Sequence, residues 1–349
     1  MILAVGAILF ILLAFSLGIL LAIRSADRRE AVRWLQQPSV KGQLISAGSQ
    51  KLFCRVEGRG EPTVVILSGW SSCSAEWWPI QDQLAQFTRV VTYDRAGYSW
   101  SETARSARTS THAVEDLHAL LQTAELPPPY LLLGHSLGGL YAQQYARKYP
   151  MEIAGIVLAD PVSPDDHLFD ELNCPGFEKF AAANTRRGQV HHFRRLAAWG
   201  WMRFKMTELR QAPSYGLYQT LPADVQEIFW QNFALLKFWN TVAQEYDRKI
   251  LAQDIRDLNS CGPFPTIPLR MIVRNKQKAV EGLVKGAQLD ETEAQLVEDL
   301  HERLMRELMK LSPHSEWISA SGGSHMLHLT EPETIIQAVK SILHEIRST

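Results

Sequence analysis

Apolar residues fall along this chain in two kinds of pattern. Short runs with few polar interruptions occur at Thr63 to Leu67, Arg89 to Tyr93, Tyr130 to Leu133, Ile153 to Ala159, Leu269 to Val273 and Glu316 to Ala320. Each reads as a strand, and the fully apolar ones read as buried strands. Leu44 to Glu57 reads as two short strands around Gly48-Ser49, a hairpin at a sheet edge. Between the runs the spacing turns helical. It predicts helices at Glu76 to Phe87, at His112 to Glu125, at Leu140 to Tyr149 with Pro150 as stop, at Asp290 to Leu311, and at Pro332 to Ile346. Val114, Leu117, Leu120 and Leu121 share one face of the second. Leu296, Leu300, Leu304 and Leu308 are spaced by four along the fourth.

Val162 to Pro265 breaks this rhythm. It shows no alternating strand pattern, is helical in character, and is rich in aromatic residues from Phe177, Phe180 and Phe193 through Trp199, Trp201 and Phe204 to Trp239. Most of these are expected to build the segment's own core, and a few to line a pocket. His191 and His192 with Arg186, Arg187, Arg194 and Arg195 read as a solvated basic helix face, with contact to anionic headgroups as the alternative.

Met1 to Ile23 contains no charged residue. As a helix it spans roughly 34 Å at 1.5 Å per residue, enough for a ~30 Å hydrocarbon core. A cleaved signal peptide would carry basic residues before its apolar run. Here Arg24, Arg28, Arg29 and Arg33 all follow it, which favours an uncleaved anchor in a single-pass membrane protein. The positive-inside rule then puts the body on the cytoplasmic side, although one short span constrains this only weakly. Ala26 to Gln37, stopped by Pro38, is either a helix lying at the membrane surface or a solvated linker.

The 349 residues are 46% hydrophobic with a net charge of -1. That suits a large globular domain, or a domain with an insertion, and gives no reason to expect a nucleic-acid partner. Cys54, Cys73, Cys174 and Cys261 form no C-x-x-C motif, and no H-E-x-x-H occurs. No metal and no cofactor are therefore expected. Cys174 and Cys261 lie near the two ends of the aromatic segment. They would pair only in an oxidising compartment.

The chemistry-bearing stretch is Gly134-His135-Ser136-Leu137-Gly138, between the strand at Tyr130 and the helix that Pro150 closes. A G-x-S-x-G turn between a strand and a helix strains the backbone at the serine and lifts its hydroxyl out of the sheet. The helix N-terminus behind it can stabilise negative charge. In this context the chain resembles the α/β-hydrolase superfamily.

The resemblance implies an α/β fold: a mostly parallel central sheet flanked by helices, with a helical cap inserted over the site and the N-terminal transmembrane helix in addition. The expected divisions are an anchor at 1–23, a linker or juxtamembrane helix at 24–43, a core of 44–161 and 266–349, and a cap at 162–265. Ser136 would be the nucleophile. His325, in Ser321-Gly322-Gly323-Ser324-His325-Met326 after the final strand, would be its base; His328 lies beyond the apex of that loop. The N–H groups of Trp70 and Leu137 would form the oxyanion hole. Ser68 stands where the family usually has His, which changes what supports that loop. Asp94 begins a loop similar to the family's D-x-x-G-x-G-x-S and would be structural.

The triad acid is the open member. The family's commonest position follows the strand ending at Val273, but there the chain reads Arg274-Asn275-Lys276-Gln277-Lys278. Some relatives place the acid after the strand that here ends in Asp160, so Asp160 is expected, with Glu281 and Asp290 as alternatives. The resemblance then implies a membrane-anchored serine hydrolase acting on carboxylic esters, with a hydrophobic or lipid-like acyl group. Amide or thioester cleavage, acyl transfer, and a ligand-binding member with little or no turnover remain alternatives. Relatives that open epoxides or remove halides use Asp where this chain has Ser136.

Overall fold

The structure, a computed structural model, describes residues 2–37, 41–183 and 186–348. Met1, Pro38 and the side chains of Phe180, Arg186 and Arg187 lie outside what is described. The strands are β1 (Gln43–Ala47), β2 (Gln50–Glu57), β3 (Thr63–Leu67), β4 (Val90–Tyr93), β5 (Tyr130–His135), β6 (Ile153–Ala159), β7 (Leu269–Val273) and β8 (Ser315–Ser319). The helices are α1 (Ile2–Leu35), α2 (Trp78–Leu84), α3 (Ser110–Thr123), α4 (Leu137–Lys148), α5 (Pro175–Ala183), α6 (Arg186–Trp199), α7 (Met202–Leu209), α8 (Ala223–Ala234), α9 (Leu236–Glu245), α10 (Arg248–Ser260), α11 (Lys276–Ala287), α12 (Glu291–Leu308), α13 (Leu327–Thr330) and α14 (Pro332–Ser348).

The strands form one sheet in the order β1-β2-β4-β3-β5-β6-β7-β8. β2 runs antiparallel to both its neighbours, β1 and β4, and the other pairs are parallel. Helices cover both faces, which is why the central strands are uninterrupted apolar runs. Val65, Leu67 and Leu132 face α3, α4 and α12. Val64, Ile66 and Leu133 face Ile80 and Leu84 of α2 and Ile335 and Val339 of α14. The chain leaves β3 toward β4 on one side and returns at β5 on the other. The loops after β3 and β5 therefore part at the carboxyl end of the sheet and leave a crevice there, the usual place for a ligand in an open α/β sheet.

Three expectations change. The helix expected over Glu76 to Phe87 is a 3-10 turn, Ser74–Trp77, followed by the short α2. Pro79 lacks an N–H and sits in the first turn, so the α-helix proper starts there. Helix α11, capped by Asn275 accepting from Lys278 N, is new. Residues 24–35 form neither a linker nor a separate helix, because α1 runs on unbroken to Leu35.

The two halves of α1 differ in environment. Ala7–Leu35 is long and apolar enough to include a membrane span, and no residue of its most apolar window is buried. Beyond Leu20 a stripe at helical spacing, Ile23, Arg24, Asp27, Ala31 and Trp34, is partly or fully buried. It packs on α6 and α8. Trp34 stacks on Trp100 with ring centroids 4.5 Å apart, and Phe53 of β2 lies against Trp100 from the sheet edge. Aromatic burial of this kind holds an element in place through area and ring geometry together. Trp34→Ala should therefore cost about 3 kcal/mol of stability. Leu13→Ala, at an exposed site, should leave the urea midpoint of detergent-solubilised protein unchanged.

Candidate active site

Ser136 lies between β5 and α4 with φ 53° and ψ -122°, a left-handed conformation that an L-residue adopts only under constraint. The neighbours supply the constraint. A Cβ on Gly138 would lie 2.1 Å from the Leu67 carbonyl oxygen, so α4 can start this close to β3 only with glycine there. The strained turn holds the Ser136 side chain at the carboxyl end of the sheet. Leu137 opens α4, and its N–H precedes the first hydrogen bond of the helix.

Three loops bring Ser136, His325 and Asp160 together. His325 Nε2 is 3.0 Å from Ser136 Oγ, and His325 Nδ1 is 2.6 Å from Asp160 Oδ2. His135, the residue before Ser136, is buried and its Nε2 donates to the His325 carbonyl at 2.8 Å. Burial, helped by the nearby imidazoles of His325 and His328, holds the His135 pKa well below its usual value. It is therefore a neutral donor that fixes the His325 loop. The same loop is pinned by Glu331, which accepts from the N–H groups of Ser321 and Gly322, each at 2.6 Å.

Asp160 is fully buried, and burial alone would raise its pKa. The charge of Arg274 and the contacts of His301 and His325 outweigh burial and hold it well below the usual carboxylate value. Arg274 Nη1 donates to Asp160 Oδ2 at 2.7 Å, while Nη2 and Nε donate to Glu298 at 2.8 and 3.2 Å. His301 Nε2 lies 3.1 Å from Asp160 Oδ1. Arg274 follows β7, so an arginine occupies the position where the resemblance leads one to expect an acid, and it turns back to the carboxylate one strand away. In the sequence Arg274 marks the missing acid without naming its partner, and His301 does not stand out. The signal for Glu298 and His301 was polar residues on the same side of α12 as Val297, Leu300 and Leu304, all of them buried.

The other candidates lie elsewhere. Glu281 is exposed on α11 and pairs with Lys285 at 3.6 Å. Asp290 caps α12 by accepting from Glu293 N at 2.8 Å. His328 is buried and stacks on Trp77, and burial takes its pKa down to about 3. Asp94 accepts from Ser74 N at 2.7 Å and is likewise buried. His191, His192, Arg194 and Arg195 are exposed on α6. All four cysteines are free thiols, and no group of His, Cys, Asp and Glu among the described residues could hold a metal ion.

The loop after β3 is held by an ion pair that reaches into the segment between β6 and β7. Arg95 donates to the carbonyls of Ser68 and Gly69 at 2.6 and 2.9 Å, and through Nε to Glu245 of α9 at 2.9 Å. Tyr98 OH donates to the same Glu245 at 2.6 Å and accepts from Ser71 N. The Trp70 indole donates to the Val242 carbonyl at 3.0 Å. Arg95 thus supports the loop in which Ser68 stands in place of the family's His.

Two cavities meet at Ser136. One of about 190 Å³ is walled by Phe193, Tyr215, Phe229, Phe233 and Trp239. The other, about 760 Å³, mixes apolar Val162, Phe169 and Leu251 with polar Asp166, Tyr246 and His301.

A family model described as "Alpha/beta hydrolase family" matches residues 64–338, more than half of the chain. YbdG of Bacillus subtilis (strain 168) is 29% identical over 156 residues, 42% of this chain and 48% of YbdG. The chain thus spans about half that relative's length. A solved mutant of a putative epoxide hydrolase from Pseudomonas aeruginosa superposes with a TM-score of 0.65 at 18% identity, covering 89% of this chain and 98% of its own. A thermophilic esterase from Thermogutta terrifontis does so with a TM-score of 0.56 at 19% identity, covering 88% and 99%. At such identities the likeness is one of fold, and it agrees with the family match. The sheet, the strained serine after β5 and the matched span lead to one conclusion: this chain belongs to the alpha/beta hydrolase family.

Proposed function

We propose that the protein is a membrane-anchored serine hydrolase that cleaves carboxylic esters with a hydrophobic acyl group, through an acyl-enzyme on Ser136. The observation that carries this reading is the position of His325, within hydrogen-bond reach of Ser136 Oγ on one side and of the Asp160 carboxylate on the other. A serine hydroxyl becomes a competent nucleophile only when a base takes its proton and an acid steadies the resulting imidazolium. In this mechanism Ser136 Oγ attacks the ester carbonyl while His325 Nε2 takes the hydroxyl proton. Backbone N–H groups of Trp70 and Leu137 stabilise the oxyanion. His325 then returns the proton to the departing alcohol, and water delivered the same way releases the acid. Asp160, kept ionised by Arg274, holds Nδ1–H and fixes the tautomer.

The aromatic cavity suits an apolar acyl chain, and the larger cavity suits the remainder of the ester. Epoxide opening of the usual kind would need a carboxylate nucleophile, and Ser136 does not supply one. The exposed apolar half of α1 supports anchoring, with the body weakly favoured on the cytoplasmic side by the arginines that follow the apolar run.

Fluorophosphonate labelling tests the central claim and separates it from a ligand-binding member with no turnover. Wild-type protein should label and hydrolyse p-nitrophenyl esters. Ser136→Ala should fold, fail to label, and lose several orders of magnitude in turnover. Undiminished labelling of that variant would sink the assignment.

Asp160→Asn keeps the shape but offers an amide donor where a carboxylate can only accept, so it should cost on the order of ten-thousand-fold in turnover with little change in binding. Glu281→Gln, at an exposed ion pair, should cost less than about tenfold. Steady-state kinetics on one soluble ester ranks the two.

Arg274→Met should act through Asp160. Without the guanidinium, burial raises the Asp160 pKa, and the carboxylate protonates as pH falls. Activity should therefore drop far more at pH 6 than at pH 9, and Arg274→Lys should restore part of it. A loss equal at both pH values would remove Arg274 from this role.

A further inference from the structure

The segment between β6 and β7 leaves one group of large apolar side chains outside its own core. The corner between α6 and α7 exposes Trp199 (47%), Trp201 (41%) and Phe204 (63%). The same corner is where the body meets α1. A Cβ on Gly200 would lie 3.0 Å from Asp27 Cβ and 3.2 Å from both Arg24 Cα and the Ile23 carbonyl oxygen. The Arg24 guanidinium lies 5.7 Å from the Trp199 ring, and Arg203 bonds Asp27 at 2.8 Å. Ile23 is also the last residue of the uncharged run. From Ala7 to Ile19 every residue of α1 is exposed, and partial cover begins only at Leu20. The exposed aromatics therefore stand at the level where the bare apolar helix enters the folded body.

That level is where a bilayer's surface would lie around α1. Trp is favoured at such a boundary because its ring is apolar while its N–H stays wet. Positive charge surrounds the same zone. Arg28, Arg29 and Arg33 on α1 and Arg194 and Arg195 on α6 are exposed, and each basic group near an anionic surface adds to binding. We infer that the Trp199-to-Phe204 corner is a second membrane contact, seated in the headgroup layer of the bilayer that α1 crosses. The inference rests on the anchor reading of α1 and adds a partner surface that anchoring alone does not require.

The contact also narrows the substrate class. Phe193, which walls the aromatic cavity beside Ser136, precedes Trp199 by six residues on α6, about 9 Å along a helix. The acyl-binding cavity then lies within about two helical turns of the headgroups. The ester that fits is an amphiphile whose tail resides in the bilayer and whose ester group lies at its surface.

The test uses full-length protein, on a Cys261→Ser background, reconstituted in vesicles of phosphatidylcholine with phosphatidylglycerol. Spin labels are attached at Phe204→Cys, at Leu13→Cys within the apolar run, and at Leu296→Cys on α12, and collision with a water-soluble nickel chelate is measured for each. The Phe204 label should be shielded at least about threefold relative to Leu296, as a side chain at an interface is. In a second arm, the variant Trp199→Ser/Trp201→Ser/Phe204→Ser should lose about tenfold in hydrolysis of a long-chain ester embedded in vesicles, as expected when interfacial aromatic anchors are removed. Its rate on p-nitrophenyl acetate should not change. A Phe204 label as accessible as Leu296, with Leu13 shielded, overturns the second contact and leaves the anchor standing. Accessible labels at both Phe204 and Leu13 overturn the anchor and the contact together. Full activity of the triple variant on vesicle-borne ester also overturns the contact.

Discussion

A buried negative charge at Asp160 organises this molecule. A carboxylate taken out of water is costly unless charge and hydrogen bonds replace the lost hydration. Here the replacement comes from three separate parts of the chain: Arg274 after β7, His301 on α12, and His325 on the loop after β8. Each of them favours the ionised carboxylate over the protonated one. The half of the sheet from β6 to β8, and the helix that covers it, are therefore drawn to one point. That point is 2.6 Å from the imidazole that reaches Ser136.

A second buried charge does similar work on the other side of the serine. Arg95 and Glu245 neutralise each other where neither could persist alone. Arg95 spends its remaining donors on the Ser68 and Gly69 carbonyls, so the loop after β3 is shaped by an ion pair with α9. The helices between β6 and β7 are consequently part of the site's frame as well as its roof. The Trp70 indole, bonded to the Val242 carbonyl, ties the same loop to α9 at a second point.

What could be read from the sequence, and what could not, follows from the range of the interactions. Strands β3, β6 and β7 could be bounded to the residue, because burial on both faces leaves an apolar run with polar ends. Helix α11 was missed because it follows a run of polar residues and little of it is buried beyond Ala279 and Val280. The continuity of α1 was missed because the change from apolar to charged at Arg24 looks like the end of an element. A helix can pass through such a change if one stripe stays covered, and α6 and α8 cover the stripe that ends in Trp34. For the site, the loops carrying Ser136, Asp160 and His325 could be named from motif and chain order. The partners of Asp160 could not, since nothing local links Arg274 to a carboxylate on another strand. The arginine standing where a family acid usually stands was a clue to charge inversion there.

The arrangement around Asp160 also restricts how such a site can change over generations. Converting Arg274 to Asp would not simply move the acid to the neighbouring strand. It would set a third carboxylate beside Asp160 and Glu298, with their shared cation gone. Removing Asp160 first would leave His325 without an acceptor. A change of charge at any one of positions 160, 274, 298 and 301 therefore unbalances the other three. A buried charge thus ties four positions of the chain into one inherited unit.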